Sequence, residues 1–317
     1  MSPGRVIGID AGGTKLLAGV VDARLEVHHR VRRTWEESGP DAAQDVIADA
    51  VQEARVLAPD AEVVGFGIPS MVEWETGVSR FSNHLALDHV DFRVAMADRL
   101  GMAVVVDNDA NVAALAEHRM GAAQGCDNAV LVALGTGIGA GLIIGGRLYR
   151  GTRGYAGEVG HMVVDHDGVD CPGACPGRGC LEALASGRAI GVVAERVARA
   201  QPDSMLGRRL ADSGVLLGIA VTELAHAGDE QALGVLVEIG ERLGAGLTGL
   251  VNALDPEMVV IGGGAVAAGD LLLGPARAVV AARALPPVAE AVRIVPARFG
   301  EEAGMLGAAL LAMEELG

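Results

Sequence analysis

The sequence predicts an α/β protein built from two related domains that lie around a central cleft. One observation is length, because a chain of 317 residues exceeds the size at which a single hydrophobic core usually stops growing. The other is repetition, because an apolar strand, a Gly-rich turn and a second strand occur near residues 11–15 and again near residues 135–139. Repetition of one supersecondary unit indicates two domains built alike.

Charge and composition exclude several classes of protein. The net charge of −16 and the pI near 4.9 argue against nucleic-acid and anionic-membrane partners. No basic segment followed by an apolar run opens the chain, so we expect a cytoplasmic protein. The longest uncharged run, residues 128–146, is rich in glycine and is better explained by a turn between buried strands than by a membrane span.

The first domain is predicted from apolar periodicity and turn signals. Its strands and helices are expected in the order strand 6–10, strand 16–22, strand 26–34, helix 41–58, strand 63–68, loop 81–85, helix 91–100, strand 103–106 and helix 112–120. We expect this small α/β domain to cover residues 1–110 and to be completed by a C-terminal helix within residues 303–317, which would pack back onto it.

The second, larger α/β domain is expected over residues 111–302. Its predicted elements are strands 129–135 and 140–144, helix 181–200 with a break at 186–187, shorter helices within 201–228, helix 229–254, and strands 258–261 and 292–295. The segment 154–187 lies within it and carries most of the residues that could do chemistry.

The turn at residues 10–15 reads DAGGTK and resembles a phosphate-binding turn. Gly12 and Gly13 let backbone N–H groups approach a phosphate closely, and Thr14 adds a hydroxyl donor. An ordinary hairpin turn explains this motif equally well when it is taken alone. The second turn, GTGIG at residues 135–139, adds weight because it follows the same strand pattern.

Two other nucleotide motifs are excluded. The second turn also fits the G-x-G-x-x-A pattern of dinucleotide-binding folds, but a β-like, Gly-broken stretch follows it where that fold requires a helix. The chain contains no G-x-x-x-x-G-K-[ST] motif, so a P-loop NTPase is also unsupported. A third glycine run, residues 262–264, lets a flat ring approach the backbone or simply forms a tight turn.

The sequence DNDAN at residues 107–111 ends a predicted strand just before a helix. Open α/β sheets place ligand contacts at this end of a strand. Asn108 can offer a donor and an acceptor to a polyol, and Asp109 can accept a proton from a hydroxyl. The alternative is an N-cap for the following helix, to which these residue types are equally suited.

The segment 154–187 combines a predicted metal site with a polar pocket. His161, Cys171, Cys175 and Cys180 can provide the four ligands of a structural zinc ion. The alternatives are a disulfide with a spare thiol, or buried inert cysteines. Glu158 faces the same way as His161 in a helical turn, and Glu182 closely follows the last cysteine. Cys126 lies outside this group and is expected to be a small buried hydrophobe.

These motifs resemble the ROK family. The resemblance is carried by DAGGTK at residues 10–15, LGTGIGAGLIIGGRLYRGTRGYAGEVGH at 134–161, CPGRGCLE at 175–182 and DPEMVVIGGG at 255–264. It covers almost the whole chain, and within the family the chain is most similar to bacterial glucokinases. The resemblance implies a duplicated, actin-like ATPase fold of the hexokinase type. It also implies transfer of the γ-phosphoryl of ATP, with Mg²⁺, to the 6-hydroxyl of glucose.

The resemblance assigns roles to the matching residues. Asp109 would be the catalytic base and would also contact the sugar. The remaining sugar contacts would be Asn83, Asn108, Glu158, His161 and Glu182. The phosphates would be held by Asp10, Gly12, Gly13, Thr14, Lys15, Gly135, Thr136 and Gly137, and the adenosine by Gly262, Gly263 and Gly264. Zn²⁺ would be held by His161, Cys171, Cys175 and Cys180.

Two departures from the family pattern bear on these roles. Many members have C-x-C before the last cysteine, whereas three residues separate Cys171 from Cys175, which makes Cys171 the least secure ligand. The family's P-G-P-V-D loop reads PSMVE at residues 69–73, so Ser70 stands where a glycine near the sugar is usual.

Other functions remain alternatives at this point. One is a ROK kinase for N-acetylmannosamine, N-acetylglucosamine or fructose, and another is a non-catalytic sugar-binding module, which would not need two phosphate turns. A sugar-responsive repressor would carry a helix-turn-helix before Asp10, where nine residues leave no room for one. The family suggests a homodimer or homotetramer, and the sequence leaves open whether ATP or polyphosphate is the donor.

Overall fold

The computed structural model describes residues 4–12, 15–34, 40–82 and 85–316. The chain forms two compact units. Unit 1 consists of Met1–Asp127, Gly141–Gly157 and Arg298–Gly317, and unit 2 consists of Asn128–Ala140 and Glu158–Ala297. Among the described residues, no helix combines the length and the apolar character that crossing a bilayer requires.

Unit 1 is built on a five-stranded sheet with the order β3-β2-β1-β4-β7. The strands of this unit before residue 109 are β1 (Val6–Ala11), β2 (Lys15–Val21), β3 (Val27–Thr34), β4 (Val63–Ile68), β5 (Met71–Glu73), β6 (Val78–Phe81) and β7 (Ala103–Asn108). β1, β2 and β3 pair antiparallel, whereas β4 and β7 run parallel to β1. β5 and β6 form a separate hairpin. The parallel strands bring the carboxyl ends of β1, β4 and β7 to one edge.

Four helices cover this sheet: α1 (Pro40–Leu57), α2 (Phe92–Leu100), α3 (Asp109–Met120) and the C-terminal helix α11 (Ala303–Leu316). The C-terminal helix was expected to pack back onto the first domain, and α11 packs against β1, β4 and α3. The approach is close enough that a Cβ atom at Gly8 would lie 2.2 Å from the Met305 carbonyl oxygen. Because α3 packs on α11 and β4, unit 1 extends beyond the predicted range of residues 1–110.

The second sheet repeats the topology of the first, with the order β10-β9-β8-β11-β12. Its strands are β8 (Ala129–Leu134), β9 (Ile138–Ile144), β10 (Arg147–Leu148), β11 (Met258–Gly262) and β12 (Arg293–Pro296). β10 pairs antiparallel with β9, and β11 runs parallel to β8 and β12. The division between the units falls within β9. The duplication that the sequence predicted is therefore present at the level of whole sheets.

The helices of unit 2 are α4 (Leu181–Ala185), α5 (Gly187–Ala200), α6 (Met205–Ser213), α7 (Gly218–His226), α8 (Glu230–Leu254), α9 (Asp270–Arg283) and α10 (Pro286–Ala291). The predicted break near residues 186–187 separates α4 from α5, where Ser186 caps α5 by accepting from the Ala189 N–H. The long α8 buries an apolar stripe and packs against α9.

Most predicted elements are found within a residue or two of their expected ends. The predictions missed the β5–β6 hairpin, β10, α9 and α10. Helix α3 begins at Asp109, earlier than the predicted residue 112, because the polar DNDAN tip itself forms the cap and first turn of the helix. Short strands and a helix containing Pro275 give weak periodic signals, which explains these omissions.

Candidate functional site

The first Gly-rich turn follows β1 in unit 1. Asp10 pairs in register with Leu17 on β2 and with Gly67 on β4, so it lies at the carboxyl edge of the parallel strands. Its carboxylate sits beneath the start of α11, where a Cβ atom at Gly304 would lie 2.5 Å from Asp10 Cγ. Gly12 and Lys15 complete the described part of this turn, and Gly13 and Thr14 lie outside the described residues.

The electrostatics of this turn connect it to Asp109. The pKa of Asp10 is raised from 3.8 to about 7, first by burial and then by the negative charge of Asp109, while Lys15 acts in the opposite direction. The carboxylate at the first Gly-rich turn and that of the candidate base are thus close enough for one to shift the pKa of the other. A carboxylate in this position can be stabilised by a nearby cation.

Lys15 belongs to a network of exposed charges. Its Nζ lies 2.9 Å from Glu301 Oε2, and the same carboxylate accepts from Arg32 on β3. Arg32 and then Lys15 lower the pKa of Glu301 from 4.5 to about 2. The cation of the first turn is therefore held by a carboxylate that precedes α11. No sequence signal indicates this partner, because Glu301 is separated from Lys15 by most of the chain.

The tip after β7 carries Asn108 and Asp109 in the same unit. Asn108 is the N-cap of α3, and its Oδ1 accepts from the N–H groups of Ala110 at 2.9 Å and Asn111 at 3.2 Å. Its Nδ2 donates to the Ser70 carbonyl oxygen at 3.3 Å. The N-cap interpretation therefore applies to Asn108, and the amide oxygen expected to face a polyol is bound to the helix backbone.

Asp109 is the first residue of α3, and its Oδ1 accepts from the Ala110 N–H at 2.8 Å. A carboxylate at a helix N-terminus is stabilised in its charged form by the backbone N–H groups and the helix dipole. Gly67 lies next to this tip, and a Cβ atom added there would lie 3.3 Å from the Cα atom of Asp109. The backbone around Asp109 is thus closely packed on β4.

Ser70, which replaces a glycine of the family pattern, is buried and fully engaged within the protein. Its hydroxyl donates to the Phe81 carbonyl oxygen at 2.9 Å and bonds with the Ser79 hydroxyl. Its own carbonyl accepts from Asn108. The serine therefore joins the β5–β6 hairpin to the tip. The predicted sugar contact Asn83 lies outside the described residues.

The second Gly-rich turn joins β8 to β9 and touches the third glycine run in unit 2. Gly262 ends β11 in register with Ala133 on β8. Gly263 has a φ of 81°, and a Cβ there would lie 2.4 Å from the Leu134 carbonyl oxygen. The two glycine runs are thus neighbours at the carboxyl ends of two parallel strands. Thr136 lies in this turn, before the start of β9.

Glu182 lies directly against the second turn. This buried residue of α4 accepts from the Ile138 N–H at 2.8 Å through Oε2. A Cβ atom at Gly137 would lie 2.3 Å from that oxygen, so only glycine leaves room for the carboxylate. Burial raises the pKa of Glu158, His161 lowers it, and Glu182 raises it further. The structure therefore brings the three predicted sugar contacts of unit 2 together.

His161 faces both Glu158 and the cysteines. Its Nε2 lies 3.9 Å from Glu158 Oε2, and its Nδ1 lies 3.5 Å from Cys171 Sγ. His161 ends a short 3-10 turn, Val159–His161, so the predicted helical spacing of Glu158 and His161 is present. One ring nitrogen is directed to the thiols and the other to a carboxylate.

The four predicted zinc ligands form one cluster. The ligand atoms of His161, Cys171, Cys175 and Cys180 all lie within 4.8 Å of one another, and the cysteines are free thiols. In tetrahedral zinc with Zn–S bonds of about 2.3 Å, sulfur atoms lie about 3.8 Å apart, so this cluster fits. Burial and then the neighbouring thiols raise the pKa of Cys171, and a dication offsets both effects by stabilising the thiolate.

One pairing at the site had no sequence signal. Asp107, expected only as a possible N-cap, is buried and bonded to Arg150 at 2.5 Å. Arg150 lies within one of the family-like motifs, but nothing in the motif indicates this partner. Cys126 is buried away from the thiol cluster, in agreement with its expected role.

The chain is similar to known proteins over nearly its full length. The ROK family model matches residues 6–315. The glucokinase of Streptomyces coelicolor is 36% identical over 320 residues, which cover 98% of this chain and 98% of that protein. The xylose repressor of Bacillus subtilis is 27% identical over 308 residues, covering 96% of this chain and 76% of that repressor.

Among solved structures, a ROK family glucokinase from Streptomyces griseus in complex with glucose and AMPPNP superposes with a TM-score of 0.88 at 35% identity. The superposition covers 98% of this chain and 100% of that chain. Together with the repeated sheet topology, this similarity confirms the predicted duplicated, actin-like ATPase fold.

Proposed function

Since the chain belongs to the ROK family, we propose that it is a glucokinase that transfers the γ-phosphoryl of ATP to the 6-hydroxyl of glucose. One observation carries the proposal. In each unit, a carboxylate assigned to the hexose lies beside a Gly-rich turn assigned to the phosphates. In unit 1 the negative charge of Asp109 raises the pKa of Asp10. In unit 2 the Glu182 carboxylate accepts a hydrogen bond from the Ile138 N–H, just after Gly137.

The hexose contacts proposed in unit 2 are polar. Glu158, His161 and Glu182 present two carboxylates and an imidazole nitrogen, which suit vicinal hydroxyl groups as acceptors and donors. In unit 1, Asn108 has its amide oxygen on the helix backbone, so its part in binding is through the N–H₂ group. Asn83 completes the proposed contacts. Such a site rejects sugars that leave its buried polar groups unpaired.

Phosphoryl transfer depends mainly on position and on neutralising the charge of the transferred group. The proposed phosphate contacts are backbone and side-chain donors of residues 10–15 and 135–137, with residues 262–264 beside the adenosine. Mg²⁺ bound to ATP supplies the counter-charge, and the partly buried Asp10 carboxylate is suited to face it.

Asp109 acts as the general base and aims the attacking oxygen. In a loose transition state the hydroxyl proton leaves late, so the base need not be strong. The bond from the Ala110 N–H and the start of α3 hold the carboxylate in one orientation, which serves alignment more than basicity.

A coupled assay with glucose and ATP tests the proposal. We expect glucose to give the highest kcat/KM in a panel that includes fructose, N-acetylglucosamine and N-acetylmannosamine. Polyphosphate is run in parallel as donor, and we expect ATP to be preferred. A tenfold higher kcat/KM for another sugar, or no turnover with any of them, would contradict this assignment.

We also propose that Zn²⁺ bound by His161 and the three cysteines is a structural scaffold for the hexose site. The closed ligand set provides no open position for chemistry on the metal. Bound zinc would fix the ring of His161 with Nε2 toward Glu158, and through Cys180 it would hold the start of α4, which carries Glu182.

Replacement of Cys175 and Cys180 by serine tests the scaffold. We expect loss of bound zinc, a large rise in hexose KM and a lower unfolding temperature. The zinc content is measured by elemental mass spectrometry. Cys126→Ala is the matched control, because this buried cysteine lies outside the cluster. A double variant that folds, lacks zinc and retains normal activity would disprove the role.

The oligomeric state proposed from the family is a homodimer or homotetramer. Light scattering coupled to size-exclusion chromatography measures it directly. A monomer at the protein concentration used for the assay would contradict the proposal.

A further inference from the structure

Asp107 is the most thoroughly buried acidic residue at the β7–α3 tip, with 1% of its surface exposed. Its carboxylate accepts three hydrogen bonds. Oδ1 accepts from the Asn108 N–H at 2.7 Å and from Asn111 Nδ2 at 2.8 Å, and Oδ2 accepts from Arg150 Nε at 2.5 Å. A buried charge is costly unless it is paired and hydrogen-bonded, and these three donors supply the partners that the Asp107 carboxylate needs.

The three donors come from two parts of unit 1. Asn108 is the N-cap of α3, and Asn111 lies in its first turn. The amide of Asn111 is held through Asp107, because its Oδ1 is buried without a hydrogen-bond partner among the described residues. Asp107 therefore fixes the two residues on either side of Asp109–Ala110, and so the orientation of the candidate base.

The third donor, Arg150, begins the segment Arg150–Gly157, which packs against the β5–β6 hairpin. Its guanidinium lies 5.9 Å from the centre of the Trp74 ring, and its carbonyl accepts from the Ala156 N–H at 3.1 Å. Further along, the Arg153 carbonyl accepts from the Trp74 N–H at 3.4 Å. The segment leads directly to Glu158, which is one of the proposed hexose contacts.

Together these contacts connect the β7–α3 tip, which carries Asn108 and Asp109, to the segment that immediately precedes Glu158. We propose that the Asp107–Arg150 pair is a positioning element for phosphoryl transfer, which sets the aim of Asp109 and anchors the segment before Glu158. The inference rests on the proposed function. Neither residue is assigned contact with the substrates, and the pair acts through the side chains that it holds.

The expected kinetic signature follows from this role. Asp107→Asn preserves shape but loses the charge that holds Arg150, so the tip and the segment become less well fixed. Misalignment of a base acts mainly on the transition state, and we expect kcat to fall about tenfold to a hundredfold while hexose KM rises less than about threefold. Arg150→Met should give a similar loss, and Arg150→Lys should restore part of the activity because it keeps the charge.

A double-mutant cycle tests whether the two residues act as one unit. If they do, Asp107→Asn combined with Arg150→Met should lose no more kcat than the more impaired single variant. If the fold-loss of kcat in the double variant equals the product of the two single-variant losses, the residues act independently and the proposed pairing is overturned. Normal kcat in both single variants, with only lower thermal stability, would reduce the pair to a structural role and overturn the proposal.

Glu117→Gln is the matched control. Glu117 is a fully buried acid at the other end of α3, and its carboxylate accepts from the N–H groups of Ala122, Arg298 and Phe299. Its replacement should lower thermal stability and leave kcat within about twofold of the original, because no proposed site residue depends on it. A loss of kcat equal to that of Asp107→Asn would overturn the specific role of the pair.

Hydrogen exchange followed by mass spectrometry separates failure of this inference from failure of the proposed function. Asp107→Asn should increase exchange in residues 108–111 and 150–157, whereas Glu117→Gln should not. If the unaltered protein phosphorylates no hexose, the proposed function fails while the exchange result still tests the coupling. If the unaltered protein is active and exchange in both segments is unchanged in Asp107→Asn, the inference alone fails.

Discussion

The two Gly-rich turns arise from the same strand-turn-strand unit, yet their surroundings differ in kind. The first turn is bordered by charged side chains, with Asp10 near Asp109 and Lys15 bound to Glu301. The second is bordered mainly by backbone, since Gly135 N–H donates to the Gly137 carbonyl and Gly187 N–H donates to the Gly135 carbonyl. The acidic neighbour of the second turn, Glu182, is itself bound to backbone.

This difference shows what duplication provides and what it leaves open. A repeated β-hairpin on a parallel sheet supplies two places where backbone N–H groups can meet phosphates. The side chains packed around each turn then determine its chemistry. We therefore expect variants at the first turn to change the ionisation of nearby side chains. Variants at the second turn should displace Glu182, a proposed hexose contact.

The largest expected effect is at the candidate base beside the first turn. Asp109→Asn should reduce kcat at least about a hundredfold, which is the lower range for loss of a general base, because the amide cannot accept the hydroxyl proton. Sugar affinity should stay within about tenfold, or about 1.4 kcal/mol. Steady-state kinetics and equilibrium sugar binding measure the two quantities. Near-normal turnover would remove Asp109 from this role.

The second effect concerns the raised pKa of Asp10. The folded protein holds this proton up to about pH 7, whereas the unfolded chain releases it near 3.8, so the contribution to stability is largest at low pH and is lost as pH rises to about 7. Relative to the original protein, Asp10→Asn should therefore gain about 3 kcal/mol of unfolding free energy between pH 5 and pH 8. Urea unfolding at both pH values measures this gain.

Glu301→Gln is the control for that experiment. The pKa of Glu301 is lowered to about 2, so its stabilising effect is complete above about pH 4.5 and is lost only as pH falls toward 2. The stability difference between this variant and the original should be constant from pH 5 to pH 8. An Asp10→Asn difference that is equally constant would show that Asp10 ionises normally.

The third effect separates the two turns directly. An alanine side chain at Gly137 would meet Glu182 Oε2 at 2.3 Å, whereas one at Gly12 would meet the Lys15 carbonyl oxygen at 3.3 Å. Gly137→Ala must therefore displace the Glu182 carboxylate, and we expect hexose KM to rise about tenfold, with a rise below about twofold for Gly12→Ala. Both variants crowd a phosphate turn, so hexose KM and ATP KM are measured separately. Equal hexose KM values would contradict the proposed place of Glu182 in the sugar site.

The smallest effect is expected from the exposed charges at the first turn. Exposed ion pairs are worth about 0–1 kcal/mol, so Glu301→Gln should lower ATP KM by about threefold or less, because Lys15 is no longer held by a competing carboxylate. Salt screens such charges over about 10 Å at 0.1 M, and the effect should vanish near 1 M. An ATP KM that rises at low salt would show that Glu301 orients Lys15 instead of competing with the phosphate.

Several parts of the site could be predicted because their information is local. The glycine runs, the DNDAN tip and the spacing from His161 to Cys180 are all contained in short stretches, and the cluster of His161 with three cysteines includes Cys171 despite its unusual spacing. The choice between an N-cap and a ligand at Asn108 could not be made from the sequence. It depended on the position of the Ala110 and Asn111 N–H groups around the amide oxygen.

The sequence by itself determined the duplicated fold, the two Gly-rich turns and the group of one histidine and three cysteines, because strand periodicity, glycine runs and residue spacing are properties of neighbouring residues. Only the tertiary structure decided that the Glu182 carboxylate packs against Gly137. The same holds for the ion pairs of Glu301 with Lys15 and of Asp107 with Arg150. These pairs are far apart in the chain, and their contacts are set by the order of strands and the packing of helices on them. Local residue patterns do not determine that strand order or helix packing, so they cannot predict these pairs.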